Sequence, residues 1–324
     1  MATYKGIQGY SVQKLSSDPT VADTVGQLWY NSTTGKFKIS TQGAGAWSSG
    51  GTMNTARYRT DGGFGTLTAG TVVAGYSTPI PGVTANTEEY DGTSWTEVNN
   101  VPTATADPSS TGTQTAGLHA VGAPASDGTT REYDGTSWAV SGTRLFTTSG
   151  RAKLFGIQTA AVTIGGASPG GYLTTVNEYD GTSWTAATAY PAGYGNGGCS
   201  GTLTAGFAFA GIPGEVVESY TYDGTNWTEA NDLNTGRGEC GFSIAGTQAA
   251  SQIVAGEPAN NVTETFDGTS WSTSPATLAT ARSQGASIGT AASGVYAGGG
   301  SAPTQLATEE GADPVYSVKT VTTS

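Results

Sequence analysis

Short runs rich in Thr, Val, Tyr and Trp alternate along the chain with clusters of Gly, Asn, Asp and Pro. The clusters recur roughly every eight to twelve residues, and no segment keeps the spacing of an amphipathic helix. After Trp184 this pattern predicts four strands, near residues 199–203, 206–212, 215–222 and 225–229. The chain is therefore predicted to be all-β.

One hexapeptide, Tyr-Asp-Gly-Thr-Ser-Trp, recurs with few changes. Asn226 replaces the serine in one copy, and Phe266 replaces the tyrosine in another. The copies occupy residues 90–95, 133–138, 179–184, 222–227 and 266–271. An earlier tryptophan lies one period upstream of the first copy. The repeat tryptophans are 43 to 48 residues apart: Trp47, Trp95, Trp138, Trp184, Trp227 and Trp271. Six tandem units of this length indicate a repeat architecture.

Each hexapeptide is predicted to be the hairpin between the third and fourth strands of its unit. Asp-Gly suits a tight turn, and a four-residue loop sets the tyrosine opposite the tryptophan. A calcium site is the alternative, but calcium takes six to eight oxygen ligands, and each turn offers one aspartate without an acidic neighbour at alternate positions. The pattern favours the turn. Four strands per unit are typical of a propeller blade.

The chain resembles kelch-type repeats over about residues 36–300. The features that carry the resemblance are the Gly-rich second strand at residues 162–166, the tyrosine before the turn and the tryptophan after it. The resemblance implies a six-bladed kelch-like β-propeller. The chain departs from the kelch pattern where the double glycine shrinks to one, at residues 74–75 and 121–122, and in its shorter turn. We expect an attachment segment at 1–35, the propeller at 36–304 and a C-terminal strand or tail at 305–324.

The sequence allows two ways in which the last blade of the predicted propeller could be completed. In one, a hairpin at residues 36–47 completes the last blade, whose first pair of strands lies near residues 283–298. In the other, residues 308–310 echo residues 87–89, and a strand at 315–321 follows them. The C-terminus then completes its own blade and leaves residues 1–47 for attachment.

Residues 26–39, with Leu28 and Tyr30 on one arm and Phe37 and Ile39 on the other, read as a hairpin around a Ser-Thr-Thr-Gly turn. This segment resembles the opening segments of bacteriophage tail-fibre and other virion proteins, and residues 11–19 fit the same group. Coupled to the kelch-like array, the resemblance implies an appendage of a marine or cyanobacterial phage. The expected location is the virion, assembled in the host cytoplasm.

Charge and composition argue against nucleic-acid binding and membrane insertion. The 324 residues include 50 glycines, and charged residues make up only 12%. A net charge of -12 opposes nucleic-acid binding, which needs a basic surface. Residues 1–59 carry +4 and the rest -16, so the N-terminal part presents a different surface. Neither a signal peptide nor a membrane span is visible, so we expect no membrane insertion.

Catalytic chemistry has little support in the sequence. His119, the only histidine, lies in an apolar strand and is predicted to be a hydrogen-bonded core residue. Cys199 and Cys240 are too few for a disulfide framework; one bridge is open, but two half-buried thiols are the simpler prediction. Adjacent glutamates at 88–89 and 309–310 point to opposite faces of a strand and share no site. We predict no catalytic, cofactor or metal residues.

The leading hypothesis is therefore a noncatalytic virion protein that displays a propeller face for host-surface recognition. A capsid or neck decoration and a glycan-degrading propeller enzyme are the alternatives. Expected partners are other virion proteins, through the N-terminal segment, and a host glycan or protein; a homo-oligomer stays open. The variable loops lie at residues 76–86, 122–129, 166–174, 189–197 and 257–261. Exposed tyrosines on such loops suit sugar recognition. The candidate receptor-binding residues are Tyr76, Tyr172, Tyr190 and Tyr194.

Overall fold

The computed structural model is all-β. It describes residues 12–18, 27–42, 45–77, 82–123, 128–145, 150–242, 246–300, 304–312 and 316–321. In these ranges the one helical element is a 3-10 turn at Thr304–Leu306. No helix in the described part of the chain is long and apolar enough to cross a membrane. Residues 1–11 and 19–26 of the predicted attachment segment, and residue 315 of the predicted last strand, lie outside the described residues.

The chain forms two compact units, residues 1–45 with 313–324, and residues 46–312. The first unit contains one four-stranded sheet. Its strands, in spatial order, are Gln13–Leu15, Leu28–Asn31, Lys36–Gln42 and Tyr316–Thr320. The predicted hairpin is confirmed, because Leu28 lies opposite Ile39 and Tyr30 opposite Phe37. Trp29, buried on the other face, donates to Asp18 Oδ1 at 3.1 Å.

The described residues of the second unit form six antiparallel sheets of four or five strands, which we number 1 to 6, and one two-stranded ribbon. Sheet 1 pairs both Arg57–Tyr58 and Gly63–Thr66 with Ala69–Ser77, followed by Gly82–Tyr90 and Trp95–Val98. Sheet 2 contains Ala106–Thr113, Ala116–Ala123, Thr129–Tyr133 and Trp138–Thr143. Sheet 3 contains Lys153–Ile157, Ala160–Ile164, Val176–Tyr179 and Trp184–Ala186, with a small ribbon of Ala167–Ser168 and Gly171–Tyr172. Sheet 4 contains Gly198–Thr202, Ala205–Phe209, Ser219–Tyr222 and Trp227–Ala230. Sheet 5 contains Gly241–Phe242, Ser251–Val254, Thr263–Phe266 and Trp271–Ser274. Sheet 6 contains Ala286–Thr290, Ser293–Ala297, Thr308–Ala312 and Ala46–Ser49.

Neighbouring sheets touch through their first strands. Gly63–Thr66 of sheet 1 contacts Ala106–Thr113 of sheet 2, and the same contact recurs from each sheet to the next. The first strand of sheet 6, Ala286–Thr290, also contacts Gly63–Thr66. The six first strands therefore contact one another in cyclic order.

Sheet 6 combines strands from both ends of the second unit. Its third strand, Thr308–Ala312, comes after the first pair, and its fourth, Ala46–Ser49, comes from the start of the unit. The prediction that residues 36–47 supply both strands is wrong for residues 36–42, because Lys36–Gln42 pairs with Tyr316–Thr320 in the first unit. The alternative was wrong for its last strand for the same reason. The echo at Thr308-Glu309-Glu310 did mark a third strand.

The hexapeptide hairpins form as predicted. In all five copies the aromatic residue before the turn pairs directly with the tryptophan after it, with ring centroids 4.6 to 5.2 Å apart. The aspartate Oδ1 accepts the backbone N–H groups two and three residues on; for Asp91 both distances are 2.7 Å. The carboxylate thus closes the turn.

The hairpins also join neighbouring sheets. In four of the hairpins the tyrosine before the turn donates its hydroxyl to a glutamate of the preceding sheet. That glutamate lies one residue before the position equivalent to the tyrosine. The bonds are Tyr133 to Glu89 at 2.9 Å, Tyr179 to Glu132 at 2.8 Å, Tyr222 to Glu178 at 2.6 Å, and Tyr90 to Glu310. Since a hydrogen bond to a charged group is stronger than a neutral one, these bonds tie the hairpins into one series.

The repeat tryptophans share a register but not one environment. Trp95, Trp184 and Trp271 are buried, and each Nε1 donates to a Thr or Ser hydroxyl in the preceding sheet. Trp138 and Trp227 are half-buried and donate to backbone carbonyls instead. Half-buried Trp47 lies opposite Gly311 and donates to the Thr263 hydroxyl. Tryptophans at equivalent repeat positions therefore differ in burial and in hydrogen-bond acceptor, because their tertiary contacts differ.

Candidate functional site

Six residues with left-handed backbone form a ring in the second unit. Each lies at or just before the first strand of its sheet, and each has a φ between 48° and 68°. They are Arg59, Asp107, Arg151, Asn196, Glu239 and Gln284, one from each sheet, and we call them the axial ring. Such φ values are uncommon for residues other than glycine and persist only where the surroundings impose them.

Backbone hydrogen bonds connect the axial ring in sheet order. The bonds run from Asp107 N to Arg59 O at 3.1 Å, Asn196 N to Arg151 O at 2.9 Å, Glu239 N to Asn196 O at 2.7 Å, Gln284 N to Glu239 O at 2.9 Å, and Thr60 N to Gln284 O at 3.2 Å. Between Asp107 and Arg151 the link is an ion pair, with Arg151 Nε 3.8 Å from Asp107 Oδ2. The ring therefore holds all six side chains on a fixed backbone.

A second set of left-handed residues braces the axial ring. At the end of the second strand Ala74 and Gly75 have φ of 60° and 113°, and the Gly75 N–H donates to the Thr105 carbonyl at 2.8 Å. In sheets 3 to 6 the equivalent glycine N–H makes the same kind of bond. Its acceptor is the backbone carbonyl of the residue two places before the ring residue of the next sheet, and for sheet 6 the next sheet is sheet 1. Alanine can therefore take the place of the first glycine in the double-glycine pattern, as Ala74 does, because the N–H that makes this hydrogen bond belongs to the second residue.

Charged groups of the axial ring neutralise one another. Asp107 accepts two hydrogen bonds from Arg59 and also faces Arg151. Arg151 lies 3.9 Å from Glu239, which accepts a further bond from Gln284. The two arginine side chains are 31% and 32% exposed, whereas Asp107 is 4% exposed. The ring thus presents half-exposed guanidinium groups on a buried carboxylate.

A fully buried ion pair lies two residues further along the first strands. Lys153 Nζ is 2.7 Å from Asp61 Oδ2, and their side chains are 1% and 3% exposed. Burial, opposed by Lys153, raises the pKa of Asp61, and Asp107 adds to the shift. Burial disfavours the charged form of Lys153, but Asp61 outweighs it, so the pKa of Lys153 is also raised.

Two of the predicted binding tyrosines lie beside the axial ring. Tyr76 is half-buried and pairs with Tyr58, which precedes Arg59, with ring centroids 5.2 Å apart. Tyr172 is half-buried and accepts a hydrogen bond from Arg151 Nη1 at 3.0 Å. Tyr172 thus contacts a ring arginine directly, whereas Tyr76 packs on the residue before one; the sequence pattern indicated neither.

The prediction of exposed side chains at Tyr190 and Tyr194 is wrong. They are 5% and 2% exposed, with ring centroids 4.8 Å apart. Tyr190 also packs edge-on against Trp227 at 4.9 Å, and the Tyr194 hydroxyl donates to the Gly198 carbonyl at 2.7 Å. Both are core residues between sheets 3 and 4, because the loop that carries them folds inward onto the next repeat.

Three buried arginine–glutamate pairs were missed in the sequence. The Nη1 of each guanidinium donates to two backbone carbonyls. Its Nη2 donates to a glutamate two residues before the hairpin aromatic position. The pairs are Arg57 with Glu88, Arg237 with Glu264, and Arg282 with Glu309. The signal was present as Thr-Ala-Arg or Thr-Gly-Arg at residues 55–57, 235–237 and 280–282. These pairs stabilise the sheets.

His119 and the two cysteines have core roles. The His119 Nδ1 lies 2.9 Å from the Ser110 hydroxyl, and the ring is 1% exposed, as the sequence predicted. Cys199 and Cys240 are free and fully buried rather than half-buried. Burial raises the pKa of each thiol to about 12. Within the described residues no three acidic, histidine or cysteine side chains cluster as a metal site would require.

No protein-family model matches the chain, and no curated protein matches it.

Proposed function

We propose that the second unit is a six-bladed β-propeller and that the chain is a noncatalytic bacteriophage virion protein, a fibre or appendage subunit. The observation that carries the architecture is the cyclic order of contacts among the first strands, reinforced by the axial ring. Four-stranded sheets that contact one another in this order are what blades around an axis produce.

The unequal variation of the loops supports a binding face. The third-to-fourth-strand turns are almost identical in five repeats, and the first-to-second-strand turns share a left-handed glycine in most repeats. The loops that lead into the first strands carry a different ring residue in almost every sheet. Since binding residues are disproportionately carried on loops over a rigid scaffold, the axial-ring face is the proposed recognition surface.

The chemistry of this face suits a host-surface glycan or protein. Half-exposed Arg59 and Arg151 offer donors in fixed positions, and Tyr58, Tyr76 and Tyr172 add aromatic area with hydroxyl groups. Aromatic faces with neighbouring planar polar groups fit sugars, which present apolar ring faces and hydroxyl edges.

The first unit is the proposed attachment module to other virion proteins. Its residues 1–45 and 313–324 carry five lysines and three aspartates, a net +2, which leaves -14 for the second unit. Leu28 and Phe37 are 40% and 47% exposed on one face of its sheet. Opposite charge and exposed apolar side chains give the two units different partners.

Adsorption to host cells tests the recognition role. Replacing Tyr76 and Tyr172 with Ala should weaken adsorption of virions that carry the variant. The matched control replaces Thr113 and Thr202, exposed at first-to-second-strand turns, with Ala and should leave adsorption unchanged. If the folded tyrosine variant adsorbs like the unaltered protein, the decoration function replaces the recognition function.

A further inference from the structure

The Asp61–Lys153 pair differs from the other ion pairs of the described residues. The others join a carboxylate to an arginine guanidinium. Here the cationic partner is a primary amine, with Nζ 2.7 Å from Asp61 Oδ2. A neutral primary amine is a nucleophile toward a carboxyl carbon, whereas a guanidinium is not deprotonated in proteins.

The backbone on both sides holds this contact in place. Lys153 begins the first strand of sheet 3, and Asp61 follows Thr60, whose N–H bonds the ring residue Gln284. Both side chains are almost fully excluded from water. Reacting groups held in such contact reach effective molarities of about 10⁵ to 10⁸ M, which favours an intramolecular condensation over hydrolysis.

The charged Asp61 raises the pKa of Lys153, and protonation of Asp61 removes that contribution and leaves the burial that favours the neutral amine. A buried ion pair loses the hydration of both charges, and transfer of one proton from Nζ to the carboxylate removes both charges at once. Asp107 and Glu239 add negative potential around Asp61, which favours its protonated form. The proton therefore has to move only along an existing hydrogen bond.

Asp61 Oδ1 fits this chemistry better than it fits a carboxylate. The atom is buried and has no hydrogen-bond partner in the described part of the structure. A carboxylate oxygen without a donor is costly to bury, whereas an amide carbonyl carries less charge and is less costly.

We propose that Asp61 and Lys153 form an isopeptide bond. Lys153 Nζ attacks Asp61 Cγ, the Nζ–Cγ bond forms and the Cγ–Oδ2 bond breaks. Oδ2 leaves as water with the acid proton and one amine proton, Oδ1 stays as the amide carbonyl, and the nitrogen keeps one hydrogen. No oxidant or cofactor takes part. The bond links sheet 1 to sheet 3, with the first strand of sheet 2 next to both.

Intact mass of the denatured full chain tests the proposal. We expect the folded and aged protein to be lighter than its sequence by one water. Digestion with trypsin should yield a branched species that joins residues 60–131 to residues 152–237, because the acylated Lys153 is no longer cleaved.

Two variants separate this bond from a succinimide, since Asp61 precedes Gly62 and an Asp-Gly succinimide also removes one water. Lys153→Arg keeps an ion pair but supplies no amine, so it should have the full sequence mass. Asp61→Asn should lose ammonia if it condenses. Six other Asp-Gly pairs of the chain can also form succinimides, so the branched tryptic species decides between the two reactions. An unaltered protein at full mass overturns the proposal, as does a water loss without the branched species.

Discussion

Phe266 lacks the hydroxyl that four other hairpins carry, and Thr221 in the preceding sheet lacks the carboxylate that would accept it. The two replacements occur at the same junction, between sheets 4 and 5, and both residues line a groove of about 570 Å³. A buried hydroxyl without its acceptor, or a carboxylate without its donor, costs more than the loss of both. With Phe266 and Thr221 at this junction, neither a hydroxyl nor a carboxylate is left without its partner.

The junction between sheets 5 and 6 follows the same rule. Gly311 takes the tyrosine position, and Thr265 takes the position of the matching glutamate. The Trp47 ring fills the space, since a Cβ on Gly311 would lie 3.0 Å from it. Three chemically different junctions thus occur in one series of equivalent sheets.

Introducing both Phe and Thr at a Tyr–Glu junction should destabilise the protein less than introducing Phe alone. Tyr133→Phe removes the 2.9 Å bond to Glu89 and is expected to lower the free energy of unfolding by about 1.5 to 3 kcal/mol. Adding Glu89→Thr should recover part of that loss. Urea unfolding of the single and double variants measures the coupling; strictly additive losses would contradict the paired interpretation.

The buried Arg237–Glu264 pair should be far more sensitive than a surface carboxylate. Glu264→Ala leaves a fully buried guanidinium without its counter-charge and is expected to cost about 3 to 5 kcal/mol. Exposed Glu229→Ala is the control and should change stability by less than about 0.5 kcal/mol. Equal effects in denaturant melts would refute this role.

Two left-handed glycines should respond differently to alanine. Gly201 has a φ of +100°, and an added Cβ would lie 2.2 Å from the Ala205 carbonyl oxygen, so Gly201→Ala should cost on the order of 3 kcal/mol. Gly214 has a φ of +91° with open space around it, so its alanine variant should cost only about 1 to 2 kcal/mol. Thermal unfolding compares them: equal costs would show that backbone conformation alone decides, and a larger cost at Gly214 would contradict the steric argument.

Stability should fall at alkaline pH because the hairpin tyrosines that bond glutamates of the preceding sheet ionise. Burial, with the bond to Glu132, raises the pKa of Tyr179 to about 12, against about 10 in the unfolded chain. Folding therefore favours the neutral phenol: its contribution is complete below about pH 10 and is lost as pH rises toward 12. Unfolding free energies across this range, with Tyr179→Phe as control, measure the effect. A variant with the same alkaline slope would exclude Tyr179 as a cause.

The turn aspartates should act at the opposite end of the pH scale. The backbone N–H groups of Ser137 and Thr136 lower the pKa of Asp134 below 3.8. Its contribution is therefore complete above about pH 4 and is lost as pH falls through the folded value. Asp134→Asn keeps an acceptor oxygen but cannot titrate, so it should show a shallower loss of stability in acid. An unchanged acid profile would mean that other carboxylates dominate.

Sequence reasoning succeeded where the determinant was local. The Asp-Gly hairpins depend on six consecutive residues, and their pairing followed from turn geometry alone. The burial of Tyr190 could not be predicted in this way, because Trp227 of the next sheet covers it. The axial ring was missed because its residues share a backbone conformation and no side-chain type, as Arg59 and Asp107 illustrate.

The origin of the fourth strand of sheet 6 sets an order for folding on the ribosome. Ala46–Ser49 is synthesised first among the strands of the second unit, and Thr308–Ala312 last. The early strand has no partner until nearly the whole unit has emerged, so sheet 6 is completed at the end of synthesis. Such long-range pairing is slow, and it leaves an open strand edge until it forms. Until then Ala46–Ser49 is a strand without its native partner, open to pairing with other chains.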